Sequence, residues 1–249
     1  MARSSMQPNF APLSADRPSL TDQVAAAIRD AAQSGQLLPG ELYSAYQISD
    51  LLGVSRGPVR EAIMRLAESG MIRIERNKGF RLVVPDAREI AEIFHIRLLL
   101  EVPAARRAAE RRTEAQLGEM RSELKAMAAA SQEHDESLFM THDRRLHSKI
   151  LHASRNDRLV TTIGALREAT RVLGASTVER SRSLEDVYAE HLPVVTAIAD
   201  RDAAAAGRAM REHVHHTGRL LVSQALRTDN ESADLNALWD EVVGPEEPT

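Results

Sequence analysis

Leu51-Leu52-Gly53-Val54-Ser55-Arg56-Gly57-Pro58-Val59-Arg60-Glu61-Ala62-Ile63 decides how this chain is read. The run has the form of the turn and second helix of a helix-turn-helix. Gly53 supplies the tight turn. Ser55 is placed to cap the helix, its hydroxyl accepting from a first-turn N–H that has no intrahelical partner. Pro58 falls in the first turn, where a missing N–H costs nothing. Val59, Ala62, Ile63 and Leu66 recur at helical spacing and predict one apolar face. Arg56 and Arg60 stand four apart on another face, so two guanidinium forks lie near a helix N-terminus. That placement suits guanine edges and phosphates in a major groove. An ordinary amphipathic helix with two solvated arginines carries the same pair; the flanking sequence favours the groove.

Upstream, Leu20, Val24, Ile28 and Ala31 mark a first helix. Pro39-Gly40 makes a turn, and Ser44 caps a second helix that runs through Ile48, Leu51 and Leu52. Downstream, Met71–Ile74 and Phe80–Val84 read as two short strands, with Asn77-Lys78-Gly79 as the hairpin tip. Three helices followed by a hairpin make a winged helix-turn-helix. From Val54 to Val84 there are seven Lys/Arg against three Glu, in a chain whose net charge is −4. Such a patch attracts a DNA backbone, and the attraction weakens with salt.

Residues 18–84 resemble the DNA-binding domain of the GntR family of bacterial transcription regulators. The likeness rests on the turn residues Leu38, Pro39 and Gly40, on Val54-Ser55-Arg56-Gly57-Pro58-Val59-Arg60-Glu61-Ala62, and on the run into Gly70-Met71-Ile72. The resemblance implies operator contacts from Ser55, Arg56, Gly57, Pro58 and Arg60. It also implies a wing tip, Lys78 and Gly79, that approaches the minor groove. The family usually has Thr where Gly57 stands and often Arg where Tyr46 stands. Tyr46 retains a hydroxyl that can reach a phosphate.

At 249 residues the chain has room for two domains. Aromatics are only 3%, so the cores must be aliphatic, and the abundance of Ala and Leu favours helices. There is no cysteine, hence no disulfide framework and no thiolate metal site. No stretch approaches ~18 uninterrupted apolar residues, so no membrane span is expected. Residues 1–17 read as a disordered arm rather than a signal peptide, which makes a cytoplasmic protein the expectation. Charge divides along the chain. Residues 1–85 carry ten basic and eight acidic residues, the remainder twenty-two against twenty-eight. DNA affinity therefore belongs to the winged domain at 18–85.

After Pro85 helical periodicity persists and strand signals stop. A first helix spans about 87–112, with Ile90, Ile93, Ile96, Leu100 and Val102 on its apolar stripe. Thr113-Glu114-Ala115-Gln116 has the form of a capping box. Further helices are expected over 135–154, from Asn156, from Ser183 and over 202–226. A short helix near 235–242 falls in a C-terminal tail, 229–249. An all-helical bundle over 86–228 is the natural way to bury these stripes. The fold class is mainly α: a winged helix-turn-helix followed by a helical bundle.

Asp143 and His147 stand at i and i+4 on one helix face, His191 lies mid-helix and His213 follows Met210. Three imidazoles and a carboxylate suit a borderline divalent ion such as zinc, nickel or manganese. Spacing alone also fits a surface Asp–His pair and partly buried polar histidines. Residues 86–228 resemble the FCD effector domain of the FadR subfamily of GntR regulators. The likeness is carried by Ile96-Arg97-Leu98-Leu99-Leu100-Glu101, Asp143-x-x-x-His147, Ser154-x-Asn156, Glu190-His191 and Met210-Arg211-Glu212-His213. It implies that Asp143, His147, His191 and His213 hold one divalent metal, zinc foremost, beneath a small ligand pocket. It also implies that Arg97 pairs with an effector carboxylate; a salt bridge to Glu101, four residues on, is the alternative. His95, His134, His142, His152, His215 and His216 read as surface or supporting residues.

The reading that follows is a dimeric, ligand-responsive repressor. It binds double-stranded operator DNA and senses a small organic acid, with no membrane partner and no catalytic residues. A metal-dependent hydrolase and a DNA-binding protein with a metal-free structural helical domain are the rivals.

Overall fold

The computed structural model describes residues 18–33, 35–170, 182–228 and 234–245. The expected N-terminal arm lies outside them. α1 (Leu20–Gln33), α2 (Ala45–Leu52) and α3 (Arg56–Glu68) precede a hairpin of β1 (Ile72–Glu75) and β2 (Gly79–Leu82). The strands pair antiparallel with Ile72 opposite Leu82 and Ile74 opposite Phe80. Tyr43 adds a bridge, exchanging backbone hydrogen bonds with Phe80 at 2.7 and 2.8 Å. Val24, Ile28, Ile48, Val59, Ala62, Leu66, Met71 and Phe80 close the core of this unit.

Helix ends follow the capping chemistry, with one informative exception. Ser44, Asp86, Thr113 and Ser183 each form a capping box with the residue three positions on. Asp135 and Asn156 accept from Leu138 and Leu159 in the same way. Ser55 is the N-cap of α3, yet its hydroxyl makes no capping bond. The residue three positions on is Pro58, which has no N–H to offer. The two features that mark this helix start in the sequence exclude one another as partners, and the Ser55 side chain is left exposed at the tip of α3.

α4 (Ala87–Arg111), α5 (Glu114–Gln132), α6 (Glu136–Ala153), α7 (Asp157–Ala169), α8 (Leu184–Ala199), α9 (Ala203–Thr228) and α10 (Leu235–Val242) form the second unit. α4 is its spine, lying along α9 and touching α6, α7, α8 and α10. Its inward stripe differs from the expected one. Phe94, Leu98 and Val102 are buried with Ile90, whereas Ile96 is 43% exposed. The buried set keeps the i, i+4 rhythm and puts Ile96 on the outer face. α10 is more than a tail. Trp239 is fully buried in the bundle core, and its Nε1 donates to His215 Nε2 at 2.9 Å. Gly218 of α9 makes the room, since a Cβ there would lie 2.4 Å from the Trp239 ring and 2.7 Å from Phe94.

Leu51 is 78% exposed rather than packed in the winged core. With Leu52, Ile28 and Leu37 it lines a cleft of about 860 Å³ that Glu136 and Ser137 of α6 close from the other unit. No helix among the described residues is long and apolar enough to cross a membrane.

Candidate metal centre and DNA-facing surface

Three imidazoles and a carboxylate meet inside the bundle. α6 supplies Asp143 and His147, α8 supplies His191 and α9 supplies His213; all four are buried. One ring nitrogen of each histidine lies within 4.8 Å of the other two. His147 Nε2 and His191 Nε2 are 3.2 Å apart. Asp143 Oδ1 stands 3.0 Å from His191 Nε2 and 3.9 Å from His147 Nε2.

The outer nitrogen of each ring is held. His147 Nδ1 meets Glu101 Oε2 at 2.9 Å, His191 Nδ1 meets the Val187 carbonyl at 2.7 Å, and His213 Nδ1 meets Glu190 Oε2 at 3.0 Å. A carbonyl or an ionised carboxylate only accepts, so Nδ1 carries the proton in each ring. A ring protonated on Nδ1 alone turns a bare Nε2 lone pair inward. At 3.0–3.2 Å, acceptors face acceptors, a repulsive arrangement unless a cation lies among them. A divalent ion that accepts nitrogen and oxygen donors fits this set, and outer-nitrogen hydrogen bonds of this kind orient metal-binding imidazoles.

The electrostatics keep the donors ready. Burial, reinforced by the Arg167 cation, pushes His147 down to about 4, against the pull of Glu101 and Asp143. Burial and the neighbouring imidazoles hold His213 well below its ordinary value. Burial alone would raise Asp143, but the Arg167 cation holds it well below the usual carboxylate range. Glu101 is likewise held low, burial being outweighed by Arg97 and His147. Near neutral pH the cluster therefore offers uncharged His147 and His213 beside an ionised Asp143.

Arg97 takes the salt-bridge alternative. Its Nε donates to Glu101 Oε1 at 2.7 Å, both residues are buried, and its guanidinium lies 4.4 Å from the Phe94 ring centroid. Glu101 thus serves two masters, one oxygen to Arg97 and the other to His147. Sequence reading named Glu101 only as a partner for Arg97, because its contact with His147 joins α4 to α6 across 46 residues. Glu190 adjoins His191 in sequence but serves His213. Arg182 donates to both oxygens of Glu190 at 2.9 and 3.0 Å. Arg167 of α7 is ion-paired with Asp143, and nothing in its local sequence signals this. His215 lies against Trp239, and His216, 57% exposed, is 3.6 Å from Glu190.

On the winged unit, Tyr46, Ser55, Arg56, Gly57, Arg60 and Lys78 are exposed and Pro58 is partly so. Arg56 lies over the Tyr46 ring, 5.3 Å from its centroid, which restrains the guanidinium at the start of α3. A Cβ on Gly57 would meet nothing within 4 Å, so a side chain is accommodated there. Gly79 has a structural duty: at φ 143°, a Cβ would fall 2.0 Å from the Tyr43 carbonyl oxygen.

Residues 20–82 match the gntR family of bacterial regulatory proteins, and residues 92–216 match the FCD domain. The Nta operon transcriptional regulator of Aminobacter aminovorans is 29% identical over 171 residues, 68% of this chain and 79% of its own. The transcriptional repressor RspR of Escherichia coli is 28% identical over 178 residues, 72% and 78% of the two chains. Among solved structures, E. coli McbR/YncC superposes with a TM-score of 0.72 at 24% identity, covering 84% of this chain and 99% of its own; that likeness concerns the fold.

Proposed function

Because the chain belongs to the gntR family of bacterial regulatory proteins and carries an FCD domain, it is a DNA-binding transcription regulator, and we propose that its helical domain controls DNA binding through one divalent metal and a small carboxylate. The observation that carries this reading is the meeting of one ring nitrogen from each of His147, His191 and His213, with Asp143 against two of them and every Nδ1 engaged outside. Zinc suits the donor set best, with nickel and manganese as substitutes. Within the FadR subfamily, to which we assign the chain, Asp143, His147, His191 and His213 are the ligands.

Charge balance supports an anionic effector. Each carboxylate at the site already has an arginine: Glu101 with Arg97, Asp143 with Arg167 and Glu190 with Arg182. A divalent ion adds positive charge that no protein carboxylate offsets, and an organic acid on open coordination positions would offset it. Arg97 spends its Nε on Glu101, so effector contact falls to its terminal nitrogens.

On the DNA side, Arg56 and Arg60 enter the major groove, with Tyr46 bracing Arg56. The uncapped Ser55 hydroxyl is available to a phosphate, with Gly57 and Pro58 beside it. Lys78 and Gly79 bring the wing to the minor groove. One such domain spans few base pairs, so a homodimer on a pseudo-palindrome and action as a repressor complete the proposal.

Elemental analysis of untagged protein tests the metal, with thermal unfolding before and after chelation. Stoichiometric metal and a lowered midpoint on chelation are expected. Protein that carries no metal, and whose midpoint ignores both added zinc and chelator, would remove the metal from the proposal.

A further inference from the structure

The last turn of α7 touches both units. Arg167 is ion-paired with Asp143 of the metal cluster. The next residue, Glu168, faces Arg29 of α1, with Oε1 to Nε at 2.6 Å. Successive helix residues point about 100° apart, so one turn can address partners on two sides. The residue after that, Ala169, lies beside the turn that leaves α3: a Cβ on Gly70 would be 3.8 Å from the Ala169 Cβ. α1 is in turn fastened to α3. Thr21 Oγ1 donates to Glu61 Oε2 at 3.1 Å, and Arg65 Nη1 donates to Asp22 Oδ1 at 2.8 Å.

We propose that this turn of α7, through Arg167 and Glu168, relays the charge at the metal and anion site to α1 and hence to the recognition helix α3. The relay rests on the metal reading above and concerns how occupancy is communicated. Asp143 is the carboxylate that pairs with Arg167. A divalent ion on Asp143 draws on that same carboxylate and places positive charge beside the guanidinium, which weakens the pair. An anion on the metal offsets the added charge and lets the pair tighten. Arg167 already lies within electrostatic reach of the cluster, since its charge helps depress both His147 and His213. Glu168 shares the same helical turn, so a shift of that turn carries both side chains. Its contact with Arg29 is partly buried, so salt screens it less than a surface pair.

Hydrogen exchange on the full-length protein tests this, with zinc alone as the probe. In the wild type, zinc should alter exchange in the last turn of α7 and in α1. Glu168→Gln should bind zinc with unchanged affinity by calorimetry and keep the α7 response, while the α1 response is lost. Arg29→Gln removes the same contact from the other unit and should behave alike, which guards against a folding defect in either variant. An α1 response that survives in both variants overturns the relay and leaves the metal site standing. So does a wild type that binds zinc without any change in α1. A wild type that fails to bind zinc overturns the metal reading itself, and the relay with it.

Discussion

Acidification should destabilise the metal-free protein in a window set by its buried imidazoles. His147 is held at about 4 in the native state, whereas an imidazole in an unfolded chain titrates near 6.5. Between those values the unfolded state binds a proton that the native state does not, so stability rises with pH there. Above ~6.5 the group is neutral in both states and costs nothing; as pH falls towards 4 the penalty accumulates. The difference of roughly 2.5 units corresponds to about 3 kcal/mol. His213 is displaced in the same direction and adds to the loss. Glu101 and Asp143, held low, withdraw their own contribution only below the ordinary carboxylate range, near 4. Urea unfolding of chelator-treated protein, in steps from about pH 7.5 to about pH 4.5, reads the effect. His147→Gln preserves much of the volume and an N–H for Glu101 but cannot take up the proton. Its stability should fall less steeply than the wild type's, by up to about 1.4 kcal/mol per pH unit within the window. Equal slopes in the two proteins would refute the claim that His147 is buried neutral and ready to coordinate.

Glu101→Gln should lower zinc affinity by roughly 10–100-fold in a chelator competition, because the carboxylate that orients His147 is gone; an unaltered zinc affinity would show that Glu101 serves Arg97 alone. Gly218→Ala should destabilise the protein in a denaturant titration. Alanine gains about 1 kcal/mol in helix propensity, but its methyl collides with Trp239 and Phe94, and overpacking of that kind costs about 1–3 kcal/mol; a more stable variant would mean that α10 is free to move aside. Arg56→Ala should weaken operator binding by about 1–3 kcal/mol at fixed salt and relax sequence preference. Tyr46→Phe keeps the ring beneath Arg56 and should keep that affinity, whereas a drop equal to that of Arg56→Ala would assign the contact to the tyrosine hydroxyl.

Much of the molecule was legible along the chain because its signals are local. The helix starts at Ser44, Thr113, Asn156 and Ser183 follow from side chains that reach an amide three residues away, and the structure has each cap where the sequence puts it. The wing is equally local, since its tip and both strands lie within 11 residues of one another. Ser55 shows the limit of reading one residue at a time. A good capping residue followed by a good first-turn proline looks doubly favourable, yet the proline removes one of the two amides the serine could accept from, and no capping bond forms. Helical period gave α4 its length but not the phase of its buried face, because which stripe points inward depends on where α9 and α6 lie.

By itself, the sequence determined the order of helices, the winged unit, the exposed arginines at the start of α3 and, with the family resemblance, the four buried side chains that meet in the bundle. Those properties depend on residue type at short spacing or on positions that match a known pattern. Only the tertiary structure decided what surrounds the cluster. It turned Glu101 and Glu190 onto His147 and His213, brought Arg167 to Asp143 from a separate helix, and sank Trp239 into the core. It also set the protonation of His147 and His213. Burial depth and the distance to a guanidinium on another helix are properties of packing, and spacing along the chain does not encode them.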